Sequence, residues 1–378
     1  MERTDRQFFK HFDLWLFGAT VLLSVIGILM IYSATACIDA QPLDWQSTAI
    51  KQLLYLTGGV ASMFILTFVD YRLYAALRWP IWIVTVGLLG IVSAIGVITH
   101  GAQRWVDLPF FRFQPSELSK LLLVLVVAKF MSDHEEQMSQ WRYLAASFAF
   151  VALPIALVYL QPDLGTSIIL ALTWGVMALA AGMRPRDVMI AAAVLLVAAY
   201  PIFTTLQPYQ QERIQTFLNP EMDPLGSGYN VTQARIAIGS GGAQGLGFCS
   251  GTQSQLRFLR IRSTDFIFSV IGEELGFFGA LFVMGLIAFI LLRMIRVAGV
   301  ARTTYGKLVV VGLVAVIFMQ SFVNLGMNVG LMPVTGIPLP FVSAGGSSLI
   351  TLLMGEGVVQ SILIRHQRFD LTGASRRY

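Results

Sequence analysis

Arg262-Ser-Thr-Asp265-Phe-Ile-Phe-Ser-Val-Ile-Gly-Glu273-Glu274-Leu-Gly276 is the stretch around which the chain is organised. It begins as the end of a long polar segment and turns, at Phe266, into an apolar run of helical length. Such a run spans a bilayer as a helix, so Asp265 marks the place where the chain enters the membrane. An acid there lies at the positive end of a helix dipole, which favours its anion. Position alone leaves two readings. Ser263, Thr264 and Asp265 are all good capping residues. Alternatively, Asp265 is a carboxylate held at the membrane surface for chemistry.

The composition supports the membrane reading. Of 378 residues, 56% are hydrophobic and 12% charged, about half the charge usual in soluble domains. Mean hydropathy is +0.71. We expect an all-α integral membrane protein, a polytopic bundle of about ten transmembrane helices. Residues 1–378 read as one domain, with a large extracytoplasmic loop, 207–265, between helices seven and eight. The first apolar run, Leu14 to Tyr32, has no small-residue cleavage site and reads as a retained helix. Two cysteines, Cys37 and Cys249, are too few for a disulfide framework; one bridge is open to them if both face outside, but free thiols are expected. No metal-ligand spacing is present. The net charge of +5 reports orientation and does not imply nucleic-acid binding.

Further spans are expected at Ile50–Val69, Pro80–Ile98, Pro115–Met131, Trp141–Leu160, up to Gly182, up to Leu206, Phe266–Leu292, Leu308–Gly330 and Ser343–Ile364. His100 to Arg112 reads as a loop, and Tyr229–Ile238 as a short amphipathic surface helix. An even number of spans puts both termini on one side. That side collects Arg3, Arg6, Lys10, Arg72, Arg78, Arg293, Arg296, Arg365 and the basic tail, which makes it the cytoplasm. Arg104, Asp163, the 207–265 loop and the Pro333–Pro340 turn then lie outside.

Several groups could carry chemistry. Phe113-Gln-Pro-Ser-Glu117-Leu-Ser-Lys120 opens the fourth span, where Pro115 suits the first turn. Glu117 and Lys120 are three apart, share a face and can pair. Ionisable residues within spans mark functional cavities. A salt bridge locking the helix, with Lys120 snorkelling outward, is the equal alternative. Arg104 and Trp105 are either an interfacial anchor or, with Lys120, an outward basic site for phosphate. Gln161-Pro-Asp163-Leu-Gly-Thr-Ser reads as a helix cap and turn. Gly239-Ser-Gly-Gly-Ala-Gln-Gly-Leu-Gly247 follows no strand and lacks the Lys-Ser of a phosphate loop, so it reads as flexible backbone. The Pro333–Pro340 turn is broken backbone, tolerated at membrane depth only where it is buried or lines a cavity. Ser343-Ala-Gly-Gly-Ser-Ser348 supplies small residues for close packing or a polar lining. Glu273, Glu274 and Glu356 are expected to hydrogen-bond between helices.

Together the motifs resemble the SEDS proteins, the family of RodA, FtsW and SpoVE. The resemblance rests on Phe113–Lys120, Ile236-Ala-Ile-Gly-Ser-Gly-Gly242, Gly251-Thr-Gln-Ser-Gln255, Thr264–Phe268 with Gly272–Gly276, and Leu331–Phe341 with Gly345–Ser348. The motifs keep the family's order across nearly the whole chain, and the short termini resemble RodA more than FtsW. The segment Arg257-Phe-Leu-Arg260-Ile-Arg-Ser263 departs from the pattern, where an acid and a His are more usual.

The resemblance implies a ten-helix peptidoglycan glycosyltransferase that polymerises lipid II during cell-wall elongation. It would sit in the bacterial cytoplasmic membrane beside a class B penicillin-binding protein and other elongation-complex membrane proteins. It implies Asp265 as catalytic residue, and Arg104, Glu117 and Lys120 as functional positions; Gln114, Asp163 and Ser343 join them as substrate-binding candidates. Forming a β-linked glycan from an α-linked diphosphate is an inversion, which needs one base and no protein nucleophile. Asp265 is the expected base. Lys120, oriented by Glu117, and Arg104 are expected to neutralise the departing diphosphate, with a divalent cation (Mg or Mn) left open. The other readings are a lipid II flippase, a division-type polymerase, and a scaffold that only activates its transpeptidase partner.

Overall fold

Apolar segments in a bilayer find no water for their backbone groups and satisfy them internally as helices. In the computed structural model, which describes residues 11–37, 44–99, 102–107, 112–219, 227–259 and 261–366, helices dominate accordingly. The charged ends Arg3 to Lys10 and Arg368 to Tyr378, and the single residue Arg260, lie outside the described residues. The helices are α1 (Leu14–Ala36), α2 (Thr48–Phe68), α3 (Tyr71–Ala76), α4 (Arg78–Ile95), α5 (Pro115–Asp133), α6 (Trp141–Leu160) and α7 (Leu164–Ala180). They continue as α8 (Pro185–Thr205), α9 (Pro208–Leu218), α10 (Ser227–Ser240), α11 (Thr252–Gln255), α12 (Ile267–Val300), α13 (Thr304–Asn328) and α14 (Gly346–His366). Ten of these, among the described residues, have 17 residues or more. They fall where the ten spans were expected. Six are long and apolar enough to cross a membrane on composition alone.

Side chains fix the helix ends. Asp13, Ser47, Asp163 and Thr303 accept hydrogen bonds from the first-turn N–H groups of α1, α2, α7 and α13. Ion pairs tie one end of the bundle together. Arg293 donates to Asp13 at 2.6 Å, Arg78 pairs with Asp133 at 3.3 Å, and Arg365 lies 3.4 Å from Asp70. The central helix is α14, of whose apolar window 83% is buried. Its Gln360 clasps the Asp13 backbone, accepting from the N–H at 2.9 Å and donating to the carbonyl at 3.1 Å.

Three expectations need correction. The end of the span expected at Pro80–Ile98 and the loop expected at His100–Arg112 give way to an antiparallel sheet of β1 (Val97–Thr99), β2 (Ala102–Asp107) and β3 (Arg112–Phe113), in that order. The β-branched run Val97-Ile-Thr continues the apolar pattern of α4, which hid the change from helix to strand. The cysteines are not free: Cys37, at the C-terminal end of α1, is bridged to Cys249, with Cα atoms 5.8 Å apart. A separation of 212 residues carries no local signal for that bridge.

The third correction concerns the glycine-rich segment, which is a packed wedge and not flexible backbone. Helix α12 breaks at Gly276, where φ is 67° and ψ is −165°. Residues 241–247 fill the break. The N–H groups of Leu246 and Gly247 donate to the carbonyls of Glu273 and Glu274, each at 3.0 Å. The N–H groups of Phe277 and Phe278 donate to the carbonyls of Gly242 and Ala243. Four of the groups freed by the break are therefore matched from the wedge. A Cβ on Gly245, which has φ +83°, would stand 2.2 Å from the Glu274 carbonyl oxygen. Gly245→Ala combines left-handed strain with that clash and is expected to cost about 1–3 kcal/mol. The check is a lowered Tm in detergent; an unchanged Tm would show that the wedge does not bear on stability.

The acids of α12 anchor the same region. The Glu273 carboxylate accepts from the N–H groups of Gln253 (2.6 Å) and Ser254 (3.1 Å), capping α11. Glu274 accepts from Ser33 of α1 at 2.6 Å and from Gln255 at 3.2 Å. Both therefore bond between elements, as expected. Glu356 is buried with Thr20 of α1 beside it, but neither carboxylate oxygen meets a partner in full hydrogen-bond geometry.

Candidate active site

The first turn of α12 decides what Asp265 is free to do. Phe266 occupies the N-cap position and offers no side-chain cap. The buried N–H of Ser269, which also donates to the Phe266 carbonyl, donates to Asn328 Oδ1 across from α13 at 3.1 Å; the Ser269 hydroxyl donates to the same oxygen at 2.6 Å. A capping role for the Asp265 side chain is thereby removed.

The Asp265 backbone is held separately. Its carbonyl accepts from Asn324 Nδ2 at 3.0 Å and Asn328 Nδ2 at 2.9 Å. Asn324 also donates to the Ile337 carbonyl at 2.8 Å. Ser343 Oγ donates to the Thr264 carbonyl at 2.6 Å and accepts from the Leu339 N–H at 2.8 Å. The Ala344 N–H donates to the Ser263 carbonyl at 2.9 Å. The Pro/Gly-broken segment 333–345 is thus laced to 263–265, and a Cβ on Gly336 would lie 3.8 Å from Asp265 Oδ2. Asn324 and Asn328 are fully buried. Asn328→Ala orphans the buried Ser269 hydroxyl, at about 1–3 kcal/mol for a group left unsatisfied, and removes one of the two donors to the Asp265 carbonyl. Lower Tm together with lower turnover is the expected result, and full turnover at wild-type Tm would contradict it.

Arg104, on β2, closes the far wall. Its Nε donates to the Gln161 carbonyl at 3.2 Å, Nη2 donates to the Pro162 carbonyl, and Nη1 lies 3.8 Å from Asp163. Asp163 caps α7, as expected, by accepting from the Thr166 N–H at 3.2 Å. It also accepts from the Gln114 side-chain amide at 3.4 Å. The Gln114 N–H donates to Ser347 Oγ at 2.9 Å. A cleft beside these groups is lined by Arg104, Pro162, Gln210, Arg213 and Thr335. Asp265 keeps partial exposure, yet the protein packed around it pushes its carboxyl above the usual carboxylate range. The charge of Arg213, a hydrogen bond from Thr264 and the charge of Arg104 oppose that shift.

The structure therefore brings Asp265, Arg104, Asp163, Gln114 and Ser343 to one region. It does not bring Lys120 to Arg104. Lys120 Nζ donates to Glu117 at 2.7 Å, and both side chains are nearly sealed from solvent. The pair lines a different, mainly apolar cavity that also holds Glu356 and Thr351. The joint basic site expected of Arg104 and Lys120 is replaced by one in which Arg213 stands near Asp265. Sequence reading missed Asn324, Asn328, Gln210 and Arg213 as site residues. The asparagines did carry a signal: two amides one turn apart on an apolar span mark buried function. No three His, Cys, Asp or Glu side chains gather into a metal-holding group among the described residues.

A family model for cell cycle proteins of the FtsW, RodA and SpoVE type matches residues 14–368. The chain belongs to the FtsW/RodA/SpoVE family. Within it, the chain is 41% identical over 346 residues to the peptidoglycan glycosyltransferase MrdB of Escherichia coli K12, covering 90% of this chain and 92% of that one. The fold is similar to Thermus thermophilus rod shape determining protein RodA, with TM-score 0.69 and 27% identity over 95% of this chain and 98% of that one. It is also similar to a chain solved in a study of structural coordination of polymerization and crosslinking by a peptidoglycan synthase complex. There the TM-score is 0.80 and the identity 30%, over 94% of this chain and 99% of that one. Family membership makes this a multi-pass, nearly all-helical membrane protein whose Asp265 region is assembled from motifs distributed along the whole chain.

Proposed function

We propose that this chain is a peptidoglycan glycosyltransferase that polymerises lipid II at the outer face of the cytoplasmic membrane during cell-wall elongation. The observation that carries the reading is a carboxylate relieved of capping by Asn328 and set, behind Gly336, near an arginine-lined cleft. The identity to MrdB supports the activity, and the likeness to RodA supports the elongation role.

Asp265 accepts the proton of the acceptor hydroxyl as that oxygen bonds to the anomeric carbon of the donor. The bond from that carbon to the diphosphate breaks on the opposite side, and its electrons leave with the phosphate oxygen. One displacement inverts the α-linked donor into a β-linked product. Cationic side chains at the cleft stabilise the charge that develops on the leaving group. The Glu117–Lys120 pair is a positioning strut for the helix that carries Gln114.

The bridge between Cys37 and Cys249 supports the orientation, because disulfides persist in oxidising compartments. It favours an orientation with the C-terminal end of α1 and the 207–265 loop outside and both termini in the cytoplasm. The likeness to a chain of a synthase complex supports a class B penicillin-binding protein as partner. The test is glycan-strand formation from lipid II by the purified protein with its cognate partner, transpeptidase blocked. Long strands are expected; lipid II that crosses vesicle membranes without being polymerised would return the chain to a transport role.

A further inference from the structure

We propose that Arg213, with Gln210 and Thr335 beside it, seats the diphosphate that leaves the donor. This deepens the glycosyltransferase reading and rests on it. A departing diphosphate concentrates negative charge on a few oxygens and needs donors already in place. Two of the cations near the site are spent on the protein itself. Lys120 is sealed in its pair with Glu117, and Arg104 directs Nε, Nη1 and Nη2 at Gln161, Asp163 and Pro162.

Arg213 also interacts within the protein; what sets it apart is its place between two clefts. It lines two adjoining clefts that share Pro333 and Val334. In one it stands with Arg104, Gln210 and Thr335; in the other it stands with Arg235. A diphosphate has two linked phosphoryl groups, and one guanidinium between two clefts can address both in fork geometry. Gln210 supplies an independent observation. It is 3% exposed, and its Oε1 accepts from the Gln207 N–H at 3.0 Å, but its Nε2 has no partner. Thr335 Oγ1, also buried, has none. Buried donors nearly always find acceptors. Two unmatched groups on one arginine-lined cleft fit an anionic acceptor supplied by substrate. The charge of Arg213 also acts on the Asp265 carboxylate, so the guanidinium that lines the clefts bears on the base as well.

The experiment measures retention of radiolabelled undecaprenyl diphosphate on immobilised full-length protein in detergent, so the readout does not depend on turnover. Wild type is compared with Arg213→Ala, Arg213→Lys and Gln210→Ala, each shown to keep its thermal unfolding transition. Undecaprenyl monophosphate, inorganic pyrophosphate and phosphatidylglycerol serve as competitors. Loss of a charge-assisted hydrogen-bonding partner is expected to weaken diphosphate binding about ten- to a hundredfold in Arg213→Ala. Arg213→Lys should recover part of it, and Gln210→Ala should show a smaller loss. Pyrophosphate should compete better than phosphatidylglycerol. Unchanged binding in folded Arg213→Ala overturns the assignment. Phosphatidylglycerol competing as well as the diphosphate overturns it too, by making the cleft a general site for anionic lipids. Arg213-dependent binding in a wild type that forms no strands would leave the seat standing and remove the polymerase reading.

Discussion

Asp265→Asn is expected to yield a folded protein whose lipid II turnover is reduced by about 10²–10⁴-fold, the usual worth of a positioned general base. Asparagine has nearly the same shape and cannot accept the proton. The contacts that hold this residue in place survive the change, because Asn324 and Asn328 bond its backbone carbonyl and Ser343 bonds Thr264. The α12 N-terminus survives as well, since its Ser269 N–H is capped by Asn328. The loss should therefore fall on turnover at saturating lipid II, with Tm preserved. Steady-state polymerisation and thermal unfolding, measured on the same preparation, check both halves. A variant that loses Tm along with turnover would make Asp265 a structural residue.

Lys120→Ala should have the largest effect on stability. It leaves the Glu117 carboxylate, which is 3% exposed, without its partner at 2.7 Å. Breaking a buried pair by removing one member costs about 3–5 kcal/mol, because the remaining charge stays desolvated. Replacing both members removes that penalty, so Glu117→Gln with Lys120→Met should recover most of the lost Tm. Turnover then separates the two roles left open by the sequence. Recovery of turnover with Tm marks the pair as a strut for α5 and Gln114. Recovery of Tm alone marks Lys120 as a participant in the reaction. A single variant as stable as wild type would contradict the buried-pair account.

The parts of this molecule legible in its sequence were those encoded locally. Ten spans follow from the length and apolarity of runs such as Leu14–Ala36 and Thr304–Asn328, and Asp265 stands out because it lies where polar chain becomes apolar helix. The resemblance of the ordered motifs supplied the family. What escaped was long-range. Composition reads Gly239–Gly247 as loose, because the groups it satisfies belong to a helix break some thirty residues later. The Cys37–Cys249 bridge and the Asn328–Ser269 cap join residues whose neighbours in sequence give no hint of each other. The expected partnership of Arg104 with Lys120 failed for the same reason. Both face the outer half of the bundle in a linear reading, but packing gives Lys120 to Glu117 and sets Arg213 near Asp265.

The central claim is that the ionised Asp265 carboxylate takes the acceptor proton. The most direct measurement is the pH dependence of kcat for lipid II polymerisation, in wild type and in Asp265→Asn. A general base acts only when deprotonated, and burial holds this carboxyl above the usual carboxylate range. The wild-type rate should rise with pH through a limb displaced upward from that range and then level off. The residual rate of the Asn variant should lack that limb. The same limb in both proteins, or Asn turnover near that of wild type, would contradict the account and place the base elsewhere.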